Sequence, residues 1–257
     1  MRPAGFAIGN KMSARRIMLG LALMIAGCGK AAPPPAASAP PAAPPSPGLS
    51  VAQLQIIAEP KEGLPDDSAQ AGEYVTAVME KVDYANLPDI VVWLEPSGGN
   101  SFDASKFAAA PIDVDPQHAA GGIAAAVSVG QQIVLHNTSP APAHLYSVSD
   151  GNDFDLGKVA PGADASYTIK SAGLIEVLTD SLLDPVAKIY AAPTAWVRLT
   201  AAGKTVEFRD LPPGQYKAVT WHPRLPGREM PITLSADQVT TAVAKVGVND
   251  LPKISAR

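Results

Sequence analysis

Few side chains in this chain could do chemistry, and they are spread thinly. There are four histidines, His118, His136, His144 and His222, and one cysteine, Cys28. His136 and His144 flank the turn-forming run Asn137-Thr138-Ser139-Pro140. Both could reach one end of a β-sandwich. Two imidazoles there could hold Cu(II) or Zn(II) weakly, with Asp180 or Asp184 as a third ligand. The plainer reading is that His136 ends a strand and His144 packs or hydrogen-bonds. His118 sits among Ala and Gly as a loop residue, and His222 in Trp221-His222-Pro223 suits a strand end.

Catalytic motifs are absent from the sequence. There is no His-Glu-x-x-His zinc helix and no Gly-x-Ser-x-Gly nucleophile elbow. No phosphate loop or dinucleotide glycine fingerprint occurs. The acid pairs Asp66-Asp67 and Asp153/Asp155 read as turn residues, since nothing apolar beside them would raise a carboxyl pKa. Asp150 to Asp155 resembles a calcium loop only loosely and lacks the glutamate of an EF-hand. The chain is read as a non-enzyme without a cofactor. A formal net charge of -4 and a pI near 5.5 leave no electrostatic footprint for nucleic acid.

The cysteine has a clearer context. Lys11, Arg15 and Arg16 precede the apolar run Ile17 to Ala26, which ends in Ile25-Ala26-Gly27-Cys28. That run is too short to span a bilayer, which takes roughly 20 residues. The segment resembles a bacterial lipoprotein signal. The resemblance implies cleavage after residue 27, lipid on Cys28, and, with Gly29 following, the periplasmic face of the outer membrane. Two or more acyl chains anchor stably, because each buried methylene contributes roughly 0.8 kcal/mol. Cleavage also removes Arg2, Lys11, Arg15 and Arg16 and no acid. Lipid, not a basic patch, would therefore hold the protein to its membrane.

Residues 28–48 then read as a tether. Of the eighteen residues 31–48, eight are proline and none is charged. Such a segment cannot build a core and favours extended polyproline II. At ~3.1 Å per residue it could reach roughly 55 Å.

From Leu49 onward the chain reads as β. Short β-branched and aromatic runs are separated by Gly, Pro, Asp and Asn. Expected strands include Ile90–Leu94, Gln132–His136, Leu145–Ser149, Leu174–Leu178, Trp196–Leu199 and Tyr216–Trp221. Their spacing argues for sandwiches. Within residues 68–85, Tyr74, Val75, Val78, Met79 and Val82 recur at helical spacing, though a strand fits too. A change of texture near Pro193 suggests two modules, 49–193 and 194–257.

Several short motifs carry a family resemblance. Val92-Trp93-Leu94-Glu95-Pro96, Phe154-Asp155-Leu156-Gly157 and Pro161-Gly162 resemble the cupredoxin-like proteins of the methylamine-utilisation and plastocyanin-like group. Leu211-Pro212-Pro213-Gly214-Gln215-Tyr216 and Trp221-His222-Pro223 resemble a carboxypeptidase regulatory-like module. The implied fold is all-β: a cupredoxin-like Greek-key sandwich followed by a small regulatory-like sandwich. His144 resembles the upstream copper ligand of that group. In the late ligand loop, Thr179 stands for the cysteine, Leu182 for the histidine and Pro185 for the methionine. Blue copper needs a thiolate and two imidazoles, so no metal is expected. The expected role is binding or scaffolding, with an envelope protein or polysaccharide as partner. The alternative is a copper-binding or electron-transfer protein with a nonstandard ligand set.

Overall fold

A computed structural model describes residues 44–60, 62, 82–99 and 102–249. All belong to one compact unit, Pro40–Arg257. The lipidation position Cys28, the tether up to 43 and residues 68–81 lie outside the described residues. Val82 to Ala85 form neither helix nor strand.

The fold is all-β, as the strand pattern implied. The strands in chain order are β1 (Ser50–Ala58), β2 (Ile90–Pro96), β3 (Ala110–Val114), β4 (Ile123–Ser128), β5 (Gln132–Asn137), β6 (Ala143–Ser149), β7 (Asn152–Val159) and β8 (Asp164–Thr168). There follow β9 (Gly173–Thr179), β10 (Leu182–Ala192), β11 (Trp196–Thr200), β12 (Thr205–Leu211), β13 (Gly214–His222), β14 (Leu225–Leu234) and β15 (Val239–Val246). Among the described residues the only helical element is a single 3-10 turn, Ala104–Lys106.

Four sheets make two sandwiches. One sandwich joins the sheet β12-β1-β15 to the sheet β11-β2-β13-β14. Leu54, Ile56, Ile90, Leu94, Phe208 and Leu211 are fully buried between them. Each such side chain contributes roughly 1.5–3 kcal/mol by leaving water. The other sandwich joins β3-β5-β8 to β4-β10-β9-β6-β7, around Ile133, Leu135, Leu145, Ile175 and Ile189.

This pairing corrects the expected boundaries. Strands β1 and β2 were expected in the first module, but they pair with the C-terminal strands. β1 runs antiparallel to β12 and parallel to β15, and β2 lies between β11 and β13. The sandwich built from β3 to β10 is therefore inserted within a host sandwich made from both ends of the body. The point near Pro193 is where the chain re-enters the host. Alternating burial identifies a strand and its inward face, but long-range partners leave no mark in a strand's own residues.

The two sandwiches also share a core. Val91, Trp93, Val197 and Val219 of the host pack on Ile123, Tyr190 and Ala192 of the insert. The Tyr190 ring lies 5.5 Å from Trp93 and 4.3 Å from Trp221. Asp89 closes the junction by accepting the Ile123 N–H at 2.9 Å. The end of the expected tether is not free either. Ser46 donates to Asp210 at 2.8 Å, Gly48 N–H donates to Asp237 at 2.6 Å, and the Pro44 carbonyl accepts from Arg209 at 3.0 Å.

Candidate functional site

The insert brings its chemistry together around His144. This residue is the second of β6 and faces out of the five-stranded sheet, while its neighbours Ala143 and Leu145 are buried. Its flanking strands supply a carboxylate on each side. Asp180 belongs to the two-residue turn, Asp180-Ser181, that joins β9 to β10. Asp155 lies on β7, where the pairing with β6 slips between His144 and Tyr146. Gly157, at φ 65°, sits in that irregularity. A bulge of this kind re-aims side chains. Asp155 accepts the Gly157 N–H at 2.8 Å and also meets His144.

His144 Nε2 is 2.7 Å from Asp155 Oδ1, and Nδ1 is 3.0 Å from Asp180 Oδ2. A neutral imidazole has one donor and one acceptor nitrogen. With ionised oxygens on both sides, the ring is satisfied only as an imidazolium that donates twice. The hydrogen bond to Asp155, and then that to Asp180, accordingly raises its pKa above the ordinary histidine value. The same bond to His144 lowers the Asp155 pKa, helped by the Gly157 N–H. Tyr146 leans on the ring at 5.2 Å between centroids. His144, Tyr146, Val148, Asp153, Asp155 and Asp180 line a shallow depression of about 380 Å³.

The other histidines are elsewhere. His136 lies on β5 in the opposite, three-stranded sheet, where Nδ1 is 2.7 Å from Asp164 on β8. The expected His136/His144 pair is thus not assembled: each ring is bonded to carboxylates of its own sheet. Asp184 is an exposed residue of β10. His118 pairs with Asp115 at 2.8 Å in a loop. His222 is buried, and its Nδ1 accepts the Arg224 N–H at 3.1 Å. Burial holds its pKa below the ordinary value. Among the described residues, no group of three or more His, Cys, Asp and Glu is arranged to hold a metal.

The positions matched to the late copper loop form no loop. Thr179, the last residue of β9 and buried, pairs directly with Leu182, the first of β10. Pro185 falls within the irregular stretch of β10 between Leu182 and Ala187. Asp155 was expected as a turn residue; it is instead a strand residue that bonds His144. The Asp-x-Asp alternation at Asp153 and Asp155 was the signal for two outward side chains on one strand.

No protein-family model matches the chain, and no curated protein matches it in sequence. Solved structures similar to it include a Cu(I) structure of a mutant amicyanin, 18% identical. That likeness covers 38% of this chain and 98% of the other, at a TM-score of 0.27. An oxidized mutant amicyanin is 15% identical over 39% of this chain and 99% of its own, at a TM-score of 0.27. A purple cupredoxin from Nitrosopumilus maritimus is 15% identical over 32% of this chain and 99% of its own, at a TM-score of 0.28.

Proposed function

We propose that the protein is a lipid-anchored component of the cell envelope whose body binds or scaffolds and does not catalyse. In this reading residues 1–27 are a lipoprotein signal, Cys28 carries the lipid, and the body faces the periplasm from the outer membrane. The inserted sandwich is a cupredoxin relative without a copper site, and the host sandwich is of the regulatory-like kind. One observation carries the non-metal part. At the positions matched to the ligand loop the chain makes a tight turn, and the histidine matched to the upstream ligand has both nitrogens on carboxylates. Each ring nitrogen already faces a carboxylate oxygen, so a metal would have to displace one of those bonds to reach it. Support for the anchor is the order of basic region, short apolar run and Ile25-Ala26-Gly27-Cys28.

The experiment is detergent-phase partitioning of the protein expressed in a Gram-negative host. The wild type is expected in the detergent phase. Cys28→Ser is expected in the aqueous phase or unprocessed. A wild type that stays in the aqueous phase overturns the anchor.

A further inference from the structure

The outer face of the five-stranded sheet is covered over only part of its width. On β4, β10 and the start of β9, the outward residues Ile123, Tyr190, Ala192 and Leu174 pack against the host sandwich. Beyond Leu174 the same face meets solvent. There His144, Tyr146 and Val148 alternate outward along β6, while Leu145 and Ser147 are buried. Val148 is 74% exposed, and Leu183, beside the β9–β10 turn, is 101% exposed.

An antiparallel sheet can leave one face in water, and single exposed aliphatics are ordinary. This patch differs in three ways. Val148 and Tyr146 share a depression. Three carboxylates, Asp153, Asp155 and Asp180, ring it. The surface also continues the face already used to hold the host sandwich.

We propose that this open half-face is a protein-docking surface, and that its partner is a basic polypeptide segment. An aliphatic side chain of that segment lies on Val148 and Tyr146, and Lys or Arg side chains reach the carboxylate rim. The proposal deepens the binding role given above and rests on it. Charge complementarity selects the occupant. His144 lies between two of the rim carboxylates, Asp155 and Asp180, and the lysines on this face are Lys158, its cross-strand partner on β7, and Lys188 on β10, opposite Glu176. Lys188 answers Glu176, so the acidic excess that selects a basic partner is that of the rim itself, where Asp153, Asp155 and Asp180 stand against His144 and Lys158.

A small bare cation is a poor occupant, because Asp155 and Asp180 are each 68% exposed and stay hydrated. Long basic side chains suit such a rim: their stems cover apolar surface while the charged heads remain wet.

The location fits the role. The chain enters the body at Pro44 to Gly48, against Arg209, Asp210 and Asp237. That is the end of the host where β12 gives way to β13. Thr194, just past β10, bonds the Leu94 carbonyl at 2.7 Å toward that same end. Asp89 holds Ile123 at the opposite end, and β10 extends beyond the partner of Ile123, Lys188, to Leu182. The half-face therefore lies away from the point where the tether joins.

The test uses the chain from residue 28 with Cys28→Ser and a defined probe, the acetylated peptide Lys-Val-Arg-Leu-Lys-Gly amide. Its counterpart has Glu at each basic position. Amide chemical shifts are followed at low and high salt. The expected result is saturable shifts confined to β6, β7 and residues 180–184, weakened by salt and absent with the acidic peptide. Asp153→Lys and Val148→Ser should each weaken binding about tenfold, the scale of one lost ion contact or one small aliphatic contact. Both positions are exposed, and an unchanged urea midpoint shows that each variant folds. Three results overturn the proposal: no saturable shift at millimolar peptide, shifts centred on another surface, or unchanged affinity in both variants. Failure here leaves the detergent partitioning of the anchor untouched, so the two readings fail separately.

Discussion

Replacing Leu54 by Ala tests whether β1 belongs to the host sandwich. Leu54 is fully buried, sits opposite Val206 on β12 and Ala242 on β15, and packs in the core that contains Phe208. Truncating a buried leucine costs about 2–5 kcal/mol, counting lost transfer energy and the cavity left behind. With neighbours on both sides in regular register, the site collapses poorly, so about 3–4 kcal/mol is expected. At an m-value of about 2 kcal/mol per molar urea, the midpoint should fall by about 1.5–2 M. The three tryptophans make the assay specific, since Trp93, Trp196 and Trp221 lie on β2, β11 and β13. All three report the host sandwich and its contact with the insert. The transition followed by tryptophan fluorescence should therefore move by the full amount. If it stays in place while the insert is destabilised, β1 packs with the insert and the discontinuous host is refuted.

Further outcomes follow from individual side chains. Asn137 is fully buried; its amide donates to the Ala141 and Val159 carbonyls and its oxygen accepts from Ser139, so Asn137→Ala should lower stability by about 2–3 kcal/mol in urea. Tyr167 carries a buried hydroxyl without a hydrogen-bond partner among the described residues, so Tyr167→Phe should leave thermal stability unchanged or raise it, because only an unsatisfied group is lost. The His144 pKa is raised, so its ion pairs stabilise the fold fully below the ordinary histidine value and fade as pH rises through the folded value. Asp155 is lowered, so its share is present above the ordinary aspartate value and fades as pH falls through the folded one. A ring-proton titration should give a His144 midpoint above that of His222, whose pKa burial depresses; the opposite order would contradict the double-carboxylate geometry.

How much of this was legible depended on how local the cause was. β2, β5, β9 and β13 were readable because Val, Ile, Leu and aromatic residues are dense there and turn residues bound them. β4, Ile123–Ser128, is half alanine, and β7 begins with Asn and Asp and carries Gly157, so neither has strong strand propensity. Their neighbours in the sheet make them strands. β10 was readable only from Ile189 onward; its first half contains Asp184-Pro185, which is tolerated because the ladder with β9 is irregular there. The host sandwich was not legible as one body, because β1 and β12 meet across an entire inserted sandwich. The site was half legible. His144 could be placed at a strand start from its neighbours. Its carboxylate partners depend on a bulge at Gly157 and on the tightness of the 180–181 turn, and both are set by pairing.

The central claim is that the body of this protein works without copper, and a retention measurement tests it most directly. The chain from residue 28 with Cys28→Ser is given excess Cu(II), and in parallel Cu(I) under reducing conditions. It is then dialysed against a weak chelator at neutral pH, and metal per chain is counted. The account predicts no stoichiometric copper in either state and no difference between the wild type and His144→Ala. One copper retained per chain in the wild type, and lost in His144→Ala, would contradict it.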